Sequence, residues 1–112
     1  MREIDKQIWS AANTMKLNSE RKLSERDRVW KQSDGTAMIF LWATKIAMIT
    51  DKELQIRTGG WQSRTTISRL NGLLQSAGTG CRIYSKRGSL TVVDRKGEEK
   101  KFEDDMKFER SW

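Results

Sequence analysis

The sequence predicts an α+β fold: an N-terminal amphipathic helix, then a small, mostly antiparallel sheet of about five strands packed on one central helix. Three observations carry that prediction. Ile4, Ile8, Ala12 and Met15 recur at helical spacing near the start of the chain. Short apolar runs bounded by turn residues fill positions 29–57 and 82–93. Between them lies a second helical stripe of Ile67, Leu70, Leu73, Leu74 and Ala77.

Taken in order, the first stripe is flanked by Trp9, with Asp5, Lys6, Asn13 and Lys16 on the other faces. It predicts a helix from Arg2 to about Lys16, ended near Asn18. Positions 18–28 are almost wholly polar and read as a mixed-charge connector, with room for one helical turn around Leu23. The organisation is therefore an amphipathic helix over 1–17, a polar connector over 18–28, and a compact α+β domain with a charged C-terminal tail over 29–112. Val29 and Trp30 open the β structure, and Ser33-Asp34-Gly35 is a turn. Ala37 to Trp42 is apolar at every position, the pattern of a central strand covered on both faces. Ile46 to Ile49 follows, then a turn at Asp51-Lys52. Leu54 and Ile56 alternate with Glu53, Gln55 and Arg57 as in a half-exposed strand.

Gly59-Gly60 ends that strand. The central helix is expected to start near Thr65 or Thr66, either able to serve as N-cap, and to stop at Gly78. Gly72 lies inside it, at a cost of about 1 kcal/mol relative to alanine. Two strands, Arg82–Ser85 and Ser89–Val93, flank a turn at Lys86-Arg87-Gly88. Phe102, Met106, Phe108 and Trp112 recur in the charged tail, so part of it is expected to fold back onto the sheet.

Lys and Arg number 22 against 15 Asp and Glu, a net charge of +7 with no histidine among 112 residues. That balance favours polyanionic partners, whether nucleic acid or an acidic face on a host protein, although solubility alone also accounts for it. The apolar run Ala37 to Ala43 is too short to span a bilayer, and the charged N-terminus does not read as a signal peptide, so no membrane partner is expected. Cys81 is the single cysteine; it forms no internal disulfide, offers no usual metal site, and reads as structural. Without histidine the commonest general base is missing, so no enzyme and no cofactor are expected. The acidic run Glu103-Asp104-Asp105 leaves a Mg²⁺-dependent nuclease as a minor alternative.

The least generic stretch runs from Arg57 to Asn71. Gly59 and Gly60 permit left-handed backbone and close approach, and a helix N-terminus with its free N–H groups follows directly. Arg57, Arg64 and Arg69 surround that point, Thr65 and Thr66 add hydroxyls, and Trp61 is available to stack on a base. Lys86 and Arg87 add a basic hairpin tip. The competing reading is architectural: glycines for the turn, Trp61 as a core plug, threonines as caps, arginines as solvated surface. The motif is neither a phosphate-binding Walker loop nor a dinucleotide fingerprint.

Thr58-Gly59-Gly60-Trp61, Thr65-Thr66-Ile67-Ser68-Arg69-Leu70-Asn71 and Phe102-Glu103-Asp104-Asp105-Met106 occur in that order. With Arg21-Lys22-Leu23 ahead of them, they resemble a family of small proteins from tailed-phage genomes, over about residues 21 to 108. In that pattern Arg57 replaces the usual asparagine, and the N-terminal helix is an addition. The resemblance implies a phage origin and the cytoplasm of an infected bacterium, and no particular activity. Two functions are carried forward: a non-enzymatic accessory protein contacting nucleic acid through the helix N-terminus, and an effector that binds and inhibits a host defence complex or polymerase.

Overall fold

The computed structural model describes residues 2–60 and 62–111. These residues form two helices and nine strands, all paired antiparallel. Helix α1 spans Glu3–Thr14, and strands β1 (Ser19–Lys22), β2 (Asp27–Lys31), β3 (Ala37–Leu41), β4 (Thr44–Ile49) and β5 (Glu53–Ile56) follow as a meander. Helix α2 covers Arg64–Ser76. A second sheet holds β6 (Arg82–Lys86), β7 (Ser89–Val93) and β8 (Glu99–Lys101) in that order. Strand β9 (Met106–Glu109) returns to the first sheet beside β5, giving the order β1-β2-β3-β4-β5-β9.

The α+β class, both helices and the folded-back tail are as the sequence predicts; the strand count is higher. The polar stretch after the first helix is not a bare connector. Ser19–Lys22 pairs with β2, setting Glu20 opposite Trp30 and Lys22 opposite Arg28. An edge strand needs no apolar residues, because its backbone is held by one neighbour and its side chains face water.

One core joins everything. Val29, Ile39, Ile49, Leu54 and Ile56 point from the large sheet toward Ile8, Ala11 and Ala12 of α1 and Leu70, Leu73 and Leu74 of α2. Both helices therefore lie on the same face of that sheet. A β-bulge between Ile39 and Phe40 shifts the β3–β4 register, so that the successive residues Ile46 and Ala47 are both buried. Ile83, Leu90, Val92 and Phe102 bring the small sheet into the same core.

The opposite face of the large sheet is open. Strand β3 alternates buried and half-buried, so Met38 and Phe40 are not covered as Ala37, Ile39 and Leu41 are. This corrects the reading of Ala37 to Trp42 as a strand enclosed on both sides. Two amphipathic helices suffice to cover only one face, and Trp42 leaves the strand altogether. It sits in the β3–β4 turn with φ +57 and is 63% exposed.

Candidate nucleic-acid interface

Helix α2 begins two residues earlier than the threonines suggest. Ser63 is its N-cap: its backbone is extended, and its hydroxyl accepts the N–H of Thr66 at 3.2 Å. Thr66 Oγ1 lies 3.0 Å from Ser63 Oγ, and Thr66 is buried, so its hydroxyl serves the cap. No acidic residue occupies the first turn. At the other end, Gly78 adopts φ +69 while Thr79 N–H reaches Leu74 O at 3.2 Å, a Schellman stop.

The turn leading to α2 is bound to the tail. Thr58 N–H and hydroxyl donate to Asp104 Oδ1 at 2.8 and 3.2 Å, and Gly60 N–H donates to Thr58 Oγ1 at 3.2 Å. Gly59 has φ +63, and a Cβ there would stand 2.5 Å from Thr44 Cγ2, so both the conformation and the space require glycine. Gly60 has φ +88 with open space around it. Trp61, the stacking candidate, lies outside the described residues.

The three arginines separate. Arg57 is half-buried, with Nε 3.4 Å from Asp105 Oδ1, close enough for charge attraction but not aligned as a hydrogen bond. Arg69 is not a surface cation. Its side chain is 5% exposed and donates through Nε and Nη2 to Asp27 Oδ1 and Oδ2 at 2.7 and 3.1 Å. Asp27 is 1% exposed and also accepts the Ser24 hydroxyl at 2.6 Å. Burial alone would raise the Asp27 carboxyl; hydrogen bonds from Arg69 and Ser24, with the Arg69 charge, outweigh it and hold the group below the ordinary carboxylate range. Arg69 thus clamps α2 to β2, and its charge is spent on Asp27 within the core. Arg64 remains, exposed at the first position of α2 with no carboxylate within salt-bridge distance among the described residues.

Thr65, half-buried, faces a recess of about 590 Å³ beside the exposed Trp42. The recess has no cationic side chain among its described lining residues, which include Leu41, Thr44, Thr58 and Ser63. Helix start and arginine set therefore do not close into one anion cradle.

The hairpin tip behaves differently. Arg87 and Gly88 have φ +52 and +80, a two-residue turn of the kind that matches strand twist, and Arg87 is exposed. Lys86 Nζ lies 3.2 Å from Glu99 Oε1 across the small sheet. Asn71 of α2 exchanges two hydrogen bonds with the backbone of Ile83, at 2.6 and 2.8 Å. Strand β6 therefore doubles back along α2 and carries the tip in the direction of the helix N-terminus. Between positions 82 and 101 there are seven Lys and Arg against three Asp and Glu. This one small sheet thus holds a net +4 of the chain's +7. In the sequence the hairpin tip Lys86-Arg87 stands alone; the fold joins it to Arg82, Arg95, Lys96, Lys100 and Lys101 as one charged unit.

Geometry of this kind defines a small α+β protein with a basic wing and an open sheet face. The chain belongs to a phage family: the model of the Kyanoviridae Gp96 protein family matches residues 1–109. The match takes in α1, so the N-terminal helix lies within the region that this family model describes. No curated protein and no solved structure matches the chain.

Proposed function

We propose that this phage protein is a non-enzymatic accessory protein that contacts nucleic acid through the basic surface formed by the wing β6–β8 and the exposed start of α2. The observation that carries the reading is the concentration of charge: a net +4 within the twenty residues of the wing, with Arg82 and Arg87 free of carboxylate partners among the described residues. Arg64 extends the surface where a helix N-terminus already favours phosphate. Arg57 and Arg69 are engaged by Asp105 and Asp27 and contribute to the turn and the core instead.

The test is retardation of a short DNA duplex at rising salt. Affinity is expected to fall steeply with salt, and neutralising Arg64, Arg82 and Arg87 together to lower it and flatten the log–log salt slope by about 2 to 3. Absence of retardation at about 50 mM salt refutes the reading. So does an unchanged slope in the triple variant. An effector acting on a host protein would instead co-purify with one bacterial protein after nuclease treatment.

A further inference from the structure

The needs of the fold do not account for Trp42. It occupies the two-residue turn between β3 and β4, where Leu41 pairs with Thr44, and its φ is +57. Asn18, Arg87 and Asp105 are the other non-glycine residues with positive φ among those described. Glycine and asparagine take that conformation readily, whereas a bulky ring takes it at a cost. Burial does not offset the cost, because Trp42 is 63% exposed. Its backbone is nevertheless fixed: Trp42 N–H donates to Arg26 O at 2.6 Å, tying this turn to the one between β1 and β2. An unfavourable backbone held in place beneath an exposed side chain points to a ligand.

Trp42 lines two recesses of unlike chemistry. The first, of about 590 Å³, is walled by Leu41, Ile46 and the hydroxyl-bearing Thr44, Ser63 and Thr65, with no cation among its described lining residues. The second, of about 580 Å³, holds three guanidinium groups, Arg2, Arg26 and Arg69, and two carboxylates, Glu25 and Asp27. Pairing leaves this second recess with one unmatched positive charge. Asp27 is taken by Arg69, and Glu25 by Lys22 at 3.8 Å. Arg2 lies 3.7 Å from Asp5 and donates to the Ser68 hydroxyl. Arg26 acts on Asp27 only at longer range, with no carboxylate within salt-bridge distance among the described residues. Arg69 Nη1 also has no acceptor among them.

We propose that Trp42 and Arg26 bind a nucleotide unit, one base joined to one phosphate. The base stacks on the Trp42 ring beside the apolar recess, and the phosphate lies at Arg26. A hydroxyl-lined apolar space next to a ring suits a flat heterocycle with polar edges. One unmatched guanidinium suits one phosphate. A strand lying along this end of the molecule would need a row of unmatched cations, which the recess lacks. Both volumes are those of small-molecule sites. The same unit exists as a free nucleotide and as the phosphorylated end of a strand. This site is separate from the wing and stands or falls without it.

Isothermal titration calorimetry on the full chain at about 50 mM salt compares adenosine monophosphate (AMP), adenosine and inorganic phosphate. AMP is expected to bind at least about tenfold more tightly than either part alone. Trp42→Gly is expected to weaken AMP by about tenfold or more and to keep or raise the thermal midpoint, since glycine relieves the turn. Arg26→Ala is expected to bring AMP down to the affinity of adenosine. No heat with AMP at about 1 mM overturns the proposal, as does equal affinity for AMP and phosphate. AMP affinity unchanged in either variant overturns it too. Should Trp42→Gly lower the midpoint, Arg26→Ala, a change on an exposed side chain, still decides. An oligodeoxyadenylate of about 8 nucleotides, with and without a 5′-phosphate, separates the sources. Binding tighter than AMP that requires the 5′-phosphate assigns the site to a strand end, and AMP as tight as either oligonucleotide assigns it to the free nucleotide. A dimer that Trp42→Gly dissociates, in a chain that ignores AMP, makes the ring a self-contact and ends the proposal.

Discussion

Asp27 and Arg69 form the one ion pair among the described residues in which both side chains are almost wholly enclosed. Arg69→Met strands the carboxylate in the core, and the expected loss is about 3–5 kcal/mol by urea unfolding. Replacing both partners, as Asp27→Leu with Arg69→Met, removes the orphan charge and is expected to recover most of that loss. The pH dependence has a definite sign. The folded Asp27 carboxyl titrates below its unfolded value. Its contribution is therefore complete above the unfolded value near 3.9, and is lost as pH falls through the lower folded value. Stability curves of wild type and double variant should run parallel from about pH 7 to 5, and below about 4 the wild type should lose stability relative to the double variant. Parallel curves down to about pH 2 would show that the pair titrates no differently in the two states.

Among the elements, the contact between α1 and α2 turns on one glycine. Gly72 is buried where Asp5 of α1 crosses α2, and a Cβ there would come within 2.4 Å of the Asp5 carboxyl carbon. Asp5 is 7% exposed, and its Oδ1 has no hydrogen-bond partner among the described residues. Gly72→Ala gains up to about 1 kcal/mol of helix propensity, yet the displaced carboxylate is expected to leave a net loss of about 1–2 kcal/mol. Adding Asp5→Ala should restore stability to or above wild type, read as the thermal midpoint of the three variants. A stabilised single variant would mean that Asp5 swings aside freely. Helical stripes and turn residues made both helices and most hairpins legible, since periodicity is local. What connects them was not legible. The Thr58–Asp104 and Asp27–Arg69 contacts join residues 46 and 42 positions apart. Each partner alone read as surface charge or motif. Strand β1 escaped for a different reason: an exposed edge strand has no apolar alternation to betray it, and its pairing depends on β2. The open face was missed because Met38, Phe40 and Trp42 are apolar, and counting helices available to cover them is a tertiary argument.

On the scale of the whole molecule, the chain leaves the large sheet at β5, builds α2 and the wing, and comes back to finish the same sheet. Strand β9 sets Phe108 opposite Leu54 and Met106 opposite Ile56. Phe102, 8% exposed, joins the core just ahead of it, and Asp104 holds the turn that starts the excursion. The tail is thus the closing element of the fold. A chain ending at residue 101 would bare the β5 edge and the apolar residues that β9 shields, and an unpaired edge beside exposed core invites association. Loss of a cooperative thermal transition and a shift to aggregated species on size exclusion are expected. Asp104→Ala, which cuts only the tie to the turn, is expected to cost about 1–3 kcal/mol and keep the transition cooperative. Comparing the two separates the pairing of β9 from the clamp on Thr58. Should the shortened chain melt within a few degrees of the full one, the tail is decoration, and the closure of this sheet lies elsewhere.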